Sequence, residues 1–194
     1  MKGESVQDVI ARIRASERWQ SNLAFGEPRP GHPEGTIGAH VAEVLCNIDV
    51  LAAELRPGEH ERLEVLALVH DSFKGEATPK VPIEHPQSHS SIAAAFLAEC
   101  TDDADLIEMV RRHDEPYALH RRVASGKPVD QKRLDALLDA IKDLRLFALF
   151  QVCDNVTAGK DHTSVVWWLE LMKGRGVDVL FRWVVTGGQN LRQS

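Results

Sequence analysis

The chain has 194 residues, 43% of them hydrophobic and 27% charged, with a formal net charge of -6. That length allows one substantial core, or at most two small ones, and the composition is that of an ordinary globular protein rather than a disordered or fibrous one. The negative balance argues against nucleic acid as the main partner, because phosphate backbones need a basic face, although a local basic pocket stays compatible with it.

Three cysteines, Cys46, Cys100 and Cys153, are odd in number, lack CxxC spacing and fall in apolar helical context, as free thiols in a reducing cytosol would. The N-terminal MKGESVQDVI lacks the apolar run of a signal peptide. No stretch approaches the roughly 18 apolar residues of a membrane span. A cytoplasmic protein without membrane contact is expected.

The hydrophobic period is helical nearly throughout. Val6, Val9, Ile10 and Ile13 mark a first helix ending near Trp19, followed by the Pro/Gly-rich loop GEPRPGHPEG. Ile37, Val41, Val44, Leu45, Ile48, Leu51 and Leu55 form the stripe of a second helix, stopped by Pro57-Gly58. A third carries Leu63, Leu66, Ala67 and Val69 up to His70. After TPKVPIEHP, a helix is predicted from about Pro86 to Cys100, and a short one over 102–113, opened by Thr-Asp-Asp. Pro116 ends its neighbourhood. The longest helix is expected from about Val129 to Thr157, and two more around Val165–Lys173 and Val177–Val185. No repeat or long linker divides the chain. These features predict an all-α single domain over residues 1–194, a bundle of about seven or eight helices.

Six polar residues interrupt the inward stripes. His40 lies on the face of Ile37, Val44 and Ile48, and Asp154 continues Ile141, Leu144, Phe147 and Gln151. His89 shares a face with Ile92, Ala93 and Phe96, and His113 with Leu106, Met109 and Val110. His70 and Asp71 end the third helix. Adjacent helical residues diverge, so these two converge on one point only at a helix end, which Ser72 and Gly75 favour. Any one core histidine is more often satisfied by a backbone carbonyl, and a lone Asp154 by a cap or an ion pair. Six such groups on five helices are different: imidazole and carboxylate form a ligand set for divalent transition metals, and a bundle core can assemble it. His85 is a rival to His89, since the two share a face if Pro86 opens the helix; the apolar face begins at His89. Asp114, in the second His-Asp dipeptide, is expected to face solvent. His32, His60, His120 and His162 are expected at the surface. Trp167, Trp168 and Trp183 could stack on a base, but core or homodimer-interface burial is the more common fate.

The motifs GTIGAHVAEVL (His40), LALVHDSFK (His70, Asp71) and LFALFQVCDNVTAG (Asp154) resemble the HD-domain metal-dependent phosphohydrolase superfamily over about residues 30–160. Residues 161–194 would pack on that metal-site core. Lys74 resembles the lysine of the HDxxK version. HSSIAAAFL (His89) and VRRHDEP (His113) resemble the extra histidines of the two-metal subset, which includes dinucleoside tetraphosphate hydrolases and cyclic-dinucleotide phosphodiesterases. The chain departs in having Phe73 before Lys74, in lacking Gly-Tyr-Pro, and in lacking the Glu-Asp pair of alarmone hydrolases.

The resemblance implies one or two divalent transition metals (Fe, Mn, Zn, Co or Ni) and hydrolysis of a small phosphorylated substrate such as a nucleotide. His40, His70, Asp71 and Asp154 would hold one ion, with Asp71 bridging to a second on His89 and His113. Asp71 and Lys74 would be catalytic, and Lys74, Arg112 and Lys160 would hold substrate phosphates. The alternatives are a non-catalytic HD module for ligand sensing or oligomerisation, and a di-iron HD oxygenase.

Overall fold

The computed structural model describes residues 5–177 and 179. Among these the fold is all-α: ten α-helices, a single 3-10 turn at Ala52–Glu54, and only an isolated bridge between Arg29 and His32. The helices are α1 (Val6–Ala15), α2 (Glu17–Asn22), α3 (Ile37–Val50), α4 (Glu59–Val69), α5 (His89–Cys100), α6 (Ala104–Arg112), α7 (Glu115–Ala124), α8 (Gln131–Ala140), α9 (Leu144–Asn155) and α10 (Thr163–Lys173). No described helix is long and apolar enough to cross a membrane. The expected Val177–Val185 helix and Trp183 lie outside the described residues apart from positions 177 and 179.

Two helices form the centre because they are apolar on every side, the pattern of a helix surrounded by protein. In α4, Leu63 and every residue from Val65 to Val69 are buried. In α9, every residue from Leu146 to Asp154 is. They pack on each other, and α4 also contacts α1, α3, α5 and α6, while α9 contacts α3 and α10. The indole Nε1 of Trp19 donates to the Leu68 carbonyl over 2.7 Å, fastening α2 to the core.

Several expected boundaries shift, each for a local reason. The first helix breaks at Ser16, whose side chain caps α2. The long helix expected over 129–157 is two helices. At the break, the Lys142 and Asp143 amides donate to the Asp105 carboxylate (2.8 and 3.1 Å) and Asp143 caps Leu146 (2.9 Å), so a non-helical backbone is fully satisfied there. α5 starts at His89 rather than Pro86, capped by Ser88. Pro116 does not end a helix. It lies in the first turn of α7, where its missing N–H costs nothing.

Candidate metal centre

Five helix ends meet at one place. The C-terminal ends of α4, α6 and α9 bring His70-Asp71, His113 and Asp154, while the first turns of α3 and α5 bring His40 and His89. Hydrogen bonds between buried groups set this alignment. Asn47 of α3 donates to the Cys153 and Val156 carbonyls at the end of α9 (2.8 and 3.2 Å), and Gln151 donates to the His113 carbonyl (2.9 Å). α4 ends at Val69, with His70 as its C-cap and turns beyond. That is how two consecutive side chains reach one spot.

The ligand atoms fall into two sets that share Asp71. In the first, His40 Nε2 is 3.1 Å from Asp154 Oδ1, 3.2 Å from His70 Nε2 and 3.7 Å from Asp71 Oδ2. His70 Nε2 is 3.5 Å from Asp71 Oδ2 and 3.6 Å from Asp154 Oδ1. In the second, His89 Nε2 and His113 Nε2 are 3.3 Å apart and lie 3.5 and 3.4 Å from the other oxygen, Asp71 Oδ1. Two donors bound about 2.1 Å from one ion sit about 3.0–3.4 Å apart between octahedral and tetrahedral angles; the separations of 3.1–3.7 Å fall in that range or up to 0.3 Å above it, a spacing a shared ion could draw together.

The proton inventory supports the same fit. His113 Nδ1 is 2.8 Å from the Val110 carbonyl, and His70 Nδ1 is 3.2 Å from those of Leu66 and Ala67. A carbonyl only accepts, so Nδ1 carries a hydrogen on both rings and Nε2 is the nitrogen left to meet the carboxylates. Both Nε2 atoms face carboxylate oxygens, where a positive charge, a proton or a metal ion, is favoured. Burial drives the His70 pKa down despite Asp71 and Asp154, keeping it in the neutral form that binds metals. Burial also opposes charge on His113, but Asp114 and Asp71 outweigh it and push its pKa up to about 9. Asp71 and Asp154 stay ionised: burial would raise both pKa values, yet Lys74 and His70 hold Asp71, and Lys160 with His40 and His70 hold Asp154, well below the usual carboxylate range. The buried His and Asp groups could therefore hold metal ions.

Lys74 Nζ contacts Asp71 Oδ2 at 2.5 Å, and Lys160 Nζ contacts Asp154 Oδ1 at 2.8 Å and the Asp154 carbonyl at 2.9 Å. Both lysines line a cleft of about 570 Å³ with Asp71, His113 and Asp154 on its floor. Arg112 does not line it: its guanidinium pairs with Glu108 at 3.0 Å on the outer face of α6. His85 accepts from the Gln87 amide at 3.1 Å and stays outside both ligand sets. Trp168 is fully buried and Trp167 packs against the His120 ring.

Other residues at the centre escaped the periodicity reasoning. His120, expected at the surface, lines the cleft from α7 together with Tyr117 and Arg121, as does His32 from the loop before α3. Asp114, expected to face solvent, keeps its side chain 38% exposed at the cleft but turns Oδ2 to within 3.2 Å of His89 Nε2. Glu34 lies behind His40, Oε1 being 3.5 Å from Nδ1 and 2.9 Å from His32 Nδ1, with its side chain only 3% exposed. A tight loop places it: a Cβ on Gly26, at φ 111°, would meet the Gly35 carbonyl oxygen at 2.5 Å. Loop contacts of this kind have no period to read. His32 followed by Glu34 next to the His40 helix was the only available hint.

Glu34 is the buried carboxylate nearest His40 Nδ1, which has no hydrogen-bond partner among the described residues, so a modest tightening would seat it as the outer partner of that imidazole; losing such a partner typically weakens metal binding about 10- to 100-fold. Glu34→Gln is therefore expected to weaken one of two metal-binding events by about that factor, measured by titration calorimetry on metal-free protein. Unchanged affinity would remove Glu34 from the centre.

No protein-family model, curated protein or solved structure matches the chain.

Proposed function

We propose that the chain is an HD-type metal-dependent phosphohydrolase that cleaves an ester or anhydride bond of a small phosphorylated substrate, a nucleotide or a close relative. The observation that carries this reading is a pair of His/Asp groups, His40-His70-Asp154 and Asp71-His89-His113, with the second oxygen of Asp71 3.5–3.7 Å from the histidines of the first, on the floor of a cleft walled by Lys74 and Lys160. The order of His40, His70-Asp71 and Asp154 supports it, as do His89 and His113, which stand where the two-metal subset has its extra histidines.

A divalent ion at these residues supplies Lewis acidity, acidifying water and neutralising phosphoryl oxygens. Asp71 offers one oxygen to each ligand set, which fixes the spacing between them. His70 and His113 are oriented by their Nδ1–H bonds, so their Nε2 atoms already aim at the site. Lys74 and Lys160 are point charges that can accompany a phosphoryl group along the cleft floor. Arg121, whose guanidinium lies 5.8 Å from the Tyr117 ring centroid and makes no ion pair among the described residues, offers a fork to a further anionic group. The cleft volume is within the range of about 300–1,000 Å³ usual for small-molecule sites.

One observation favours a second reading. Both lysines already pair with carboxylates of the first set, as they would in a lysine-neutralised polar cluster of a non-catalytic sensing or oligomerisation module. Metal analysis of the purified protein, then a panel of phosphomonoesters, diesters and dinucleoside polyphosphates, separates the two. Bound transition metal with chelator-sensitive hydrolysis of at least one compound is the expected result. Metal-free protein inert on the whole panel after loading with Mn, Fe, Co, Ni or Zn would establish the module.

A further inference from the structure

We propose that Asp114 is the fourth protein ligand of the second metal, completing the set Asp71, His89, His113 and Asp114. This rests on the metal-centre reading above and extends it to a residue outside the ligand sets described there. Asp114 Oδ2 lies 3.2 Å from His89 Nε2, and Oδ1 lies 3.7 Å from His113 Nε2. Asp71 Oδ1 lies 3.5 and 3.4 Å from the same two nitrogens, while Asp114 approaches them with one oxygen each. Two carboxylates thus approach the histidine pair, from the turn after α4 and from the α6–α7 junction.

The local backbone gives an independent reason. Asp114 occupies the N-cap position of α7, where an aspartate side chain ordinarily accepts from the amides of the first turn. The N-cap aspartates Asp103, Asp130 and Asp143 all do so, before α6, α8 and α9. Asp114 does not: its φ and ψ are -82° and -9° and its side chain makes no cap hydrogen bond. It leaves that role and turns towards the histidine pair.

Charge balance points the same way. The carboxylates of the first set are met by Lys74 and Lys160, whereas among the described residues neither Asp114 oxygen has a lysine or arginine within 4 Å. Asp71 Oδ1 is the oxygen turned to His89 and His113, while Lys74 sits on Oδ2. With the Nδ1 hydrogen of His113 engaged by Val110, its Nε2 is turned towards carboxylate oxygens of Asp71 and Asp114. A metal ion taking the place of the Nε2 proton would draw on all four side chains.

The test is metal stoichiometry. Metal-free wild type and Asp114→Asn would each be titrated with Mn²⁺, ions per chain counted by plasma mass spectrometry after gel filtration, and spin coupling between paired ions followed by electron paramagnetic resonance. Wild type is expected to hold two coupled ions. Asp114→Asn is expected to hold one firmly and the second about 100-fold or more weakly, since even an indirect partner is worth about 10- to 100-fold, with the coupled signal lost. Asp114→Glu, which keeps the carboxylate, should retain the second ion in part, and circular dichroism would verify the fold of each variant. Two firmly held, coupled ions in Asp114→Asn would overturn the proposal and leave the metal centre standing. A wild type holding one ion would overturn it too. A wild type that holds none would overturn the metal centre itself.

Discussion

Asp71→Ala is expected to abolish metal binding at both ligand sets in one step and to lower phosphate-ester hydrolysis by at least about 1,000-fold, the loss of roughly 4 kcal/mol of transition-state stabilisation. Among the described residues Asp71 alone has one oxygen in each set: Oδ2 faces His40 and His70, and Oδ1 faces His89 and His113. Changing a histidine of either set should be milder. His89→Ala should remove one ion and His70→Ala the other, each leaving the remaining set with its own donors.

The fold should survive Asp71→Ala. The partner left behind, Lys74, has a side chain 29% exposed at the cleft and can swing into water, so its charge is not stranded. Apolar packing around Leu66, Ala67, Leu68 and Phe73 stays in place. Metal counting on the wild type, Asp71→Ala, His70→Ala and His89→Ala would check the pattern. Two ions retained in Asp71→Ala would show that the shared carboxylate is not what joins the sets.

The all-α class and the inward faces were legible because burial follows the helical period. Ile37, His40, Val44 and Ile48 sit on one stripe, and a histidine in such a stripe is conspicuous. The helix ends were harder to read. The apolar spacing Leu137, Ile141, Leu144 runs across the break at 141–143, so only capping could have revealed it: Asp143 three residues before Leu146 was the available sign. α7 was hidden by reading Pro116 as a terminator, although proline in a first helical turn is common. That error also hid the cleft wall, because Tyr117, His120 and Arg121 line the same cleft from α7. Asp114 follows His113 as Asp71 follows His70, without the apolar lead-in and the following lysine that mark the first dipeptide. Both dipeptides lie just past a helix end, after Val69 and after Arg112, and at such ends consecutive side chains can converge. Glu34 had no period to follow, since a loop closed by Gly26 and Gly35 delivers it.

Lys74→Ala is expected to keep both ions while reducing turnover about 30- to 1,000-fold, the value of a charge-assisted contact worth ~2–4 kcal/mol that strengthens as phosphoryl charge develops. A protonated ammonium has no lone pair and cannot ligate. Burial opposes its charge, but Asp71 outweighs that and raises the Lys74 pKa, so the side chain stays cationic. Its Nζ now shares Asp71 Oδ2 with the first ligand set. Removing it therefore takes away a competitor for that oxygen, and metal affinity should be unchanged or tighter while catalysis falls. That opposed response separates Lys74 from the ligands, whose removal weakens both. Lys74→Arg should restore turnover only in part, because a planar fork replaces a compact charge beside Asp71. Calorimetric metal titration alongside kcat on the best substrate of the panel measures both halves. Full turnover in Lys74→Ala would make the ammonium a counter-ion for Asp71 and leave phosphoryl charge to the metals, Lys160 and Arg121.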